Sequence, residues 1–148
     1  MFSHLVMMKK QEQTMFQRIR CFAEWIGAVK DIEILGDNSI IDNIFLVQRL
    51  SNIKAKRYHY AKVLQEAELV EEAQSMRNIT VMWENVCLLL IKAIVTRRTT
   101  LCRKMKDCIF DIADKEELLF NKIYNLVDDY RNERSEGKNE FINTVSRN

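Results

Sequence analysis

The chain has 148 residues, a length that suits one domain, and contains no Pro and only three Gly. Gly36 and Gly137 enclose about a hundred residues without a strong breaker, which excludes the closely spaced turns of a β fold and predicts an all-α fold. Charged residues make up 30% of the chain and the formal net charge is +2, so no global field marks it as a nucleic-acid binder.

The first predicted helix runs from about residue 3 to residue 35. Its apolar residues recur at mostly helical spacing: Leu5, Met8, Met15, Ile19, Phe22, Ile26 and Val29. Gly36 follows at the position where a glycine commonly ends a helix. The apolar residues 1–8 lead into this helix without a small-residue cleavage site, so we expect no signal peptide.

The second predicted helix runs from about residue 39 to residue 76. Its seam advances in steps of four and three through Leu46, Leu50, Ile53, Arg57, Tyr60, Leu64 and Ala67. Only Arg57 interrupts the apolar run. A turn is predicted near Asn78, because Asn78 and Thr80 can both cap a helix start.

The third predicted helix runs from about residue 80 to residue 134. Its seam reads Trp83, Val86, Leu90 and Ile94, then Met105, Ile109, Ile112, Leu119, Ile123, Leu126 and Tyr130, with Glu116 at one skipped position. Residues 1–134 are thus predicted to form a single helical domain. Residues 135–148, which include Gly137 and several Asn and Ser, are predicted to be a flexible tail.

These lengths predict an elongated three-helix antiparallel bundle or coiled coil rather than a bundle of equal helices. The third helix would overhang the shorter first helix, so its seam needs a partner. We expect that partner to be a second copy, giving a homodimer, or a related helical protein. The expected seam consists of Leu119, Ile123, Leu126 and Tyr130.

Two windows of the sequence, residues 43–65 and 85–106, contain Lys and Arg but no Asp or Glu. A turn at Asn78 would set them side by side and form a basic patch, which suits an anionic phospholipid surface. The alternative is that these cations are the solvated faces of two long helices. No nucleic-acid partner is expected, because no helix-turn-helix pattern or aromatic-rich RNA platform accompanies the patch.

Enzymatic motifs are missing from the sequence, which contains no HExxH, no Gly-rich phosphate loop and no GxSxG. The acids Asp107, Asp111 and Asp114 share a helical face but lack the ExxH element of helical di-metal sites. We therefore expect a non-enzyme without a metal or cofactor. The most apolar window, residues 86–95, falls short of the about 20 residues that span a bilayer.

The cysteines, which form no CxxC pair, are expected to be buried thiols in a reducing compartment. They are Cys21, Cys87, Cys102 and Cys108.

The third segment resembles the last helix of the BAR domain at the C-terminal end of sorting nexins, and we expect no phox-homology domain before it. The residues that carry the likeness are Trp83-Glu84-Asn85, Ile94, Arg97, Arg98, Lys104-Met105-Lys106-Asp107, Ile112-Ala113 and Lys122-Ile123. The second segment, with Tyr58, Leu64 and Glu66, is similar to the preceding helix of that family. The likeness covers roughly residues 20–134.

This resemblance implies a curved antiparallel dimer in the cytoplasm, peripheral on phosphoinositide-rich endosomal membrane. The residues implied to touch the membrane are Lys54, Lys56, Arg57 and Lys62 on the second helix, and Arg97, Arg98, Arg103, Lys104 and Lys106 on the third. The first hypothesis is therefore a non-enzymatic dimer that binds anionic membrane in endosomal trafficking or membrane shaping. The alternative is a helical scaffold subunit whose apolar seams bind partner helices without lipid.

Overall fold

The structure is a computed structural model that describes the backbone of residues 2–29 and 40–146 and the side chains of residues 15–29 and 46–135. Within those ranges the chain is helical and has no strand, which confirms the all-α prediction. The helices are α1 (Phe2–Gly27), α2 (Ile40–Glu66), α3 (Val70–Thr96) and α4 (Thr100–Ser146). The described residues thus contain four helices, where three were predicted.

The turn between α2 and α3 lies at residues 67–69 and has the hydrogen bonds of a Schellman motif. The Leu69 N–H donates to the Leu64 carbonyl at 2.9 Å, and the Glu68 N–H donates to the Gln65 carbonyl at 3.1 Å. Glu68 has a φ of 64°, in the left-handed region. Leu64 belongs to the core and Leu69 packs against it, which is the apolar contact that accompanies this motif.

The turn predicted near Asn78 is wrong, because Asn78 lies inside α3. Its Oδ1 accepts a hydrogen bond at 3.0 Å from Gln74, one helical turn earlier. The Thr80 hydroxyl donates to the Met76 carbonyl at 2.9 Å instead of capping a helix start. The second helix therefore ends at Glu66 rather than at residue 76.

A second turn, at residues 97–99, divides the predicted third helix into parts of α3 and α4. Arg97 caps the end of α3 with a φ of 53°, again in the left-handed region. The Leu101 and Cys102 N–H groups then donate to the carbonyls of Arg98 and Thr99 as α4 begins.

The outer boundaries of the helical region also differ from the prediction. α1 ends at Gly27, and the predicted end at residue 35 falls within residues 30–39, which lie outside the described residues. α4 continues past Arg134 to Ser146, so most of the segment predicted as a flexible tail is helical.

The four helices form an up-down-up-down antiparallel arrangement. Arg77 of α3 donates to Gln65 of α2 near their shared turn. Glu72 of α3 lies 3.3 Å from Lys122 of α4, near the opposite end of α3 from the 97–99 turn. α1 runs antiparallel to α4, since the Phe16 ring packs at a tilt against the Phe120 ring while Glu24 pairs with Lys106.

The core is built mainly from one face of each helix, and α3 and α4 supply most of its large side chains. The largest fully buried side chains are Trp83, Ile26, Met76, Leu90, Met105, Ile109, Ile112, Glu116, Val86 and Cys102. The residues on the core-facing side of α4 are buried as far as the level of the first turn of α3. Beyond that level they are exposed. α4 therefore extends past the part of the bundle that α2 and α3 cover.

Candidate interaction surface

Helix α3 is apolar on two sides. Its inner side buries Trp83, Val86 and Leu90 against α2 and α4. From Val81 onward its outer side carries four exposed apolar residues that we call the outer stripe: Val81, Leu88, Ile91 and Val95. At 100° per residue these four fall within an arc of about 80°, on roughly the opposite side from the buried seam.

The outer stripe is exposed although its spacing is that of a packed helix. Leu88 is 58% exposed and Val95 is 76% exposed, whereas Leu90 between them is fully buried. Steps of seven, three and four residues are the steps of a heptad seam, which normally packs against another helix. Glu84 occupies the one seam position between Val81 and Leu88 that is not apolar.

Two charged residues are placed symmetrically about the centre of the outer stripe. Glu84 precedes Leu88 by four residues and Lys92 follows it by four, and both side chains are exposed. Neither enters an ion pair with any side chain in the part of the chain that the structure describes. Tyr58 of α2 is also exposed, and the α2–α3 register puts it near the level of Val81.

Four of the nine cations predicted to touch a membrane lie together at and just after the α3–α4 turn. These exposed residues, which we call the basic turn, are Arg97, Arg98, Arg103 and Lys104. Lys106 is close in sequence but half-buried, and its Nζ lies 3.3 Å from Glu24 Oε2 on α1. Lys106 is therefore engaged within the bundle.

The cations predicted on α2 do not form one surface with the basic turn. Lys56 and Lys62 are exposed, and the Lys62 Nζ lies 4.8 Å from the centre of the Tyr58 ring. Lys54 is half-buried and interacts electrostatically with the Cys87 thiol. The paired basic windows depended on a turn at Asn78, whereas the actual turns lie at residues 67–69 and 97–99. Residues 97–106 therefore form the second turn and the start of α4.

Arg57 is a correction to the predicted membrane surface, because it is only 4% exposed. Its Nε and one terminal nitrogen donate to the two carboxylate oxygens of Glu116, at 2.7 and 3.1 Å. The Trp83 indole N–H donates to the same carboxylate at 2.9 Å, and the guanidinium lies 5.9 Å from the centre of the indole ring. The charge of Arg57 is thus neutralised inside the bundle and is not available to lipid.

The sequence showed that Arg57 and Glu116 each interrupt an apolar seam, but it did not show that the two residues pair with each other. Arg57 was the one polar residue in an apolar seam, and Glu116 was the skipped position in another. Two opposite charges that each interrupt an otherwise apolar seam are the signal that could have found the pair, because a buried charge requires a partner.

The predicted partner seam on α4 lies partly inside the bundle and partly beyond its end. Leu119 is 5% exposed and packs in the core, and Ile123 is half-buried against it. Leu126 and Tyr130 are exposed, and Tyr130 reaches 62%. The part of this seam that could meet another molecule is therefore short.

Besides Glu116, three acids of α4 form ion pairs with neighbouring cations: Asp111, Asp114 and Glu117. Arg20 of α1 bridges Glu117 at 2.5 Å and Asp114 at 3.0 Å, and these hydrogen bonds raise the pKa of its guanidinium. Asp111 pairs with Lys115 one turn along α4 at 3.3 Å. In the residues that the structure describes, no group of three His, Cys, Asp or Glu could hold a metal ion.

The cysteines are free thiols. Burial raises the pKa of the Cys87, Cys102 and Cys108 thiols. Cys87 and Cys102 are buried as expected, whereas Cys108 is half-buried and Cys21 is exposed on α1.

One helix in the described part of the chain, α3, is long and apolar enough to span a membrane by length and composition, with a mean hydropathy of 1.7 over 18 residues. The central helix of a soluble bundle meets the same test. Two apolar sides on one helix account for this value, since the inner seam and the outer stripe both contribute.

Comparison with family models, with curated proteins and with solved structures finds no match to the chain. The geometry of the described residues therefore carries the functional argument.

Proposed function

We propose that this chain is a non-enzymatic helical scaffold that binds a partner helix along the outer stripe of α3. The observation that carries the proposal is the exposure of a heptad-spaced apolar seam on a helix whose other side is already packed. An apolar helix surface of this regularity is typical of helix-to-helix recognition, in which anchors recur every three or four residues.

The bundle supplies a fixed platform for such a contact. The inner side of α3 is held by the core and by the Trp83–Glu116 hydrogen bond, so the outer stripe is presented on a rigid helix. A partner helix would therefore bind without the entropy cost of ordering α3 itself.

Site-specific photo-crosslinking in the cells that express the chain tests this proposal. A photoreactive amino acid in place of Leu88 is expected to join the chain to one defined protein. The matched control is the same substitution at Asn78, which is exposed on another side of α3. Labelling of lipid alone, no labelling, or equal labelling from both positions would overturn the proposal.

The second candidate function is binding to anionic phospholipid, which the basic turn favours. Its four exposed cations lie within eight residues, and the sequence has no acid from residue 85 to residue 106. Cations near an anionic bilayer contribute about 1 kcal/mol each, so this cluster suffices for weak reversible binding. The resemblance to sorting-nexin BAR domains, a homodimer and an endosomal location remain part of this candidate.

Sedimentation with phosphatidylserine vesicles tests the second candidate. Arg98→Glu with Lys104→Glu is expected to abolish binding at moderate salt, whereas Arg131→Glu with Arg134→Glu, on exposed residues at the far end of α4, leaves it unchanged. Equal loss in both double variants would show a dependence on net charge and would remove the basic turn as the site.

A further inference from the structure

We infer that the partner helix is α3 of a second copy of this chain, paired antiparallel about a two-fold axis that passes next to Leu88. This inference rests on the proposed function, because it names the occupant of the same outer stripe. A two-fold interface requires a surface that is complementary to itself, and the outer stripe has that property.

Self-complementarity is visible in the spacing of the outer stripe about Leu88. Val81 and Val95 lie seven residues before and after it. In an antiparallel pair centred on Leu88, Val81 of one copy is therefore level with Val95 of the other, and the two Leu88 residues are level with each other. Val81, Leu88 and Val95 are thus each level with an apolar residue of the second copy's stripe, whereas Ile91 is level with its Asn85.

Charge complementarity favours the same arrangement. Glu84 and Lys92 lie four residues on either side of Leu88, so the two-fold axis sets each Glu84 level with the second copy's Lys92. Glu84 is the only acid along the stripe, and a carboxylate covered by an apolar interface requires a cation. The long, flexible Lys side chain can supply it while its stem packs on the stripe.

A parallel pair of α3 helices lacks this complementarity. In register, it would place Glu84 against Glu84 and Lys92 against Lys92, and like charges across a helix interface oppose association. The charges therefore select the antiparallel orientation, while the apolar residues supply the affinity.

Charge exchange with sedimentation velocity tests the inference on the purified full chain. The wild-type chain is expected to form a dimer in a titration from about 1 µM to about 300 µM. Glu84→Lys and Lys92→Glu are each expected to raise the dissociation constant about tenfold or more. The double exchange, Glu84→Lys with Lys92→Glu, is expected to restore it to within about threefold of wild type.

The matched control is Asp107→Lys, which reverses an exposed acid on α4 away from the outer stripe and is expected to leave the dissociation constant unchanged. A double exchange that is no tighter than the single variants would overturn the pairing. A wild-type chain that stays monomeric throughout the titration would overturn it as well.

Disulfide trapping tests the position of the two-fold axis. In a Cys21→Ser background, which removes the exposed native thiol, Leu88→Cys is expected to form a covalent dimer under mild oxidation. Val81→Cys alone is not, because its level in the second copy is occupied by Val95. Trapping by both single variants would indicate parallel helices and overturn the arrangement.

The two proposals fail in different ways. If the purified chain is monomeric but the photoreactive group at position 88 joins it to a different protein, self-pairing is wrong and the scaffold function stands. If position 88 joins it to no protein and the purified chain is monomeric, both are wrong.

Discussion

Arg57 of α2 and Glu116 of α4 meet in the centre of the bundle through two parallel hydrogen bonds, although the two helices are not adjacent in sequence. Trp83 of α3 donates to the same carboxylate, so three helices converge on one buried group. Sliding any of them by one turn would move its residue by about 5.4 Å and leave a buried charge without its partner. The cluster therefore specifies the register of α2, α3 and α4.

Removing one member of the pair is expected to destabilise the bundle strongly. Arg57→Met leaves the Glu116 carboxylate, which has no exposed surface, without its cation. We expect the free energy of unfolding to fall by about 3 kcal/mol or more. Urea denaturation followed by circular dichroism measures this change.

Replacing both charges is expected to restore most of that loss. Arg57→Met with Glu116→Leu puts apolar side chains of similar size at both positions, and such exchanges are often neutral. A double variant as unstable as Arg57→Met alone would contradict this account, because the cost would then come from lost packing rather than from an unpaired charge.

The two sides of α3 are expected to differ in their contribution to stability. Leu90→Ala removes a fully buried side chain and should cost about 2 to 5 kcal/mol. Leu88→Ala, two residues away on the outer stripe, should cost no more than about 0.5 kcal/mol when measured on the monomer at low concentration. Similar costs at both positions would mean that the outer stripe is core and not a free surface.

The left-handed backbone conformation of Glu68 is strained, and we expect a glycine at this position to relieve the strain. A non-glycine residue in the left-handed region costs about 1 to 2 kcal/mol, and glycine removes this cost. Part of the gain is lost, because glycine has more conformational freedom in the unfolded chain. Glu68→Gly should therefore raise the free energy of unfolding by about 0.5 to 1 kcal/mol. Glu66→Gly, inside the last turn of α2, should lower it, and a stabilisation by both would point to another cause.

Stability is expected to fall at alkaline pH because of the buried thiols. Burial raises the folded pKa of Cys87, Cys102 and Cys108 above the ordinary value of 9.0, so the unfolded chain loses these protons first. Their contribution is complete below that value and is lost as the pH rises through the folded pKa. The urea midpoint should therefore be lower at about pH 10 than at about pH 7.5.

Cys102→Ala supplies the control for this pH dependence, because it removes one buried thiol and leaves all the other side chains in place. The variant should lose less stability than the wild-type chain between the two pH values. An equal loss would assign the effect to the other groups.

Periodicity predicted the buried face of the helices well. Trp83 and Leu90 on α3, and Ile109 and Ile112 on α4, all face the core as their spacing indicated. Apolar residues spaced by three or four positions indicate the buried side of a helix wherever that helix begins or ends. These predictions were therefore correct although the predicted helix boundaries were wrong.

The turns at residues 67–69 and 97–99 could not be predicted from helix-breaking residues, because neither contains Gly or Pro. Both use a left-handed residue, a position where Gly or Asn is expected, and the chain places Glu68 and Arg97 there. The local strain is offset by the packing of the helices on either side, which only the folded structure reveals. The predicted basic surface depended on a different turn, and Arg57 was assigned to it because it lies in the acid-free window of residues 43–65 and because of the resemblance to BAR domains.

The outer stripe was missed because α3 superimposes two apolar patterns. When only the seam through Trp83, Val86 and Leu90 is considered, Leu88 and Ile91 are apolar residues that belong to no pattern. The seven-residue spacing of Val81, Leu88 and Val95 was the available signal for a second seam.

The apolar character of α3 also has a consequence during synthesis. α3 leaves the ribosome before α4, whose 47 residues take about 2 to 9 s to translate. Until Glu116, in the first half of α4, has been made, Trp83 and Arg57 lack the carboxylate that they bind. For that interval the nascent chain exposes a helix apolar enough to resemble a membrane span. The completion of α4 is thus the step that covers the inner apolar side of α3 and hides it from other molecules in the cell.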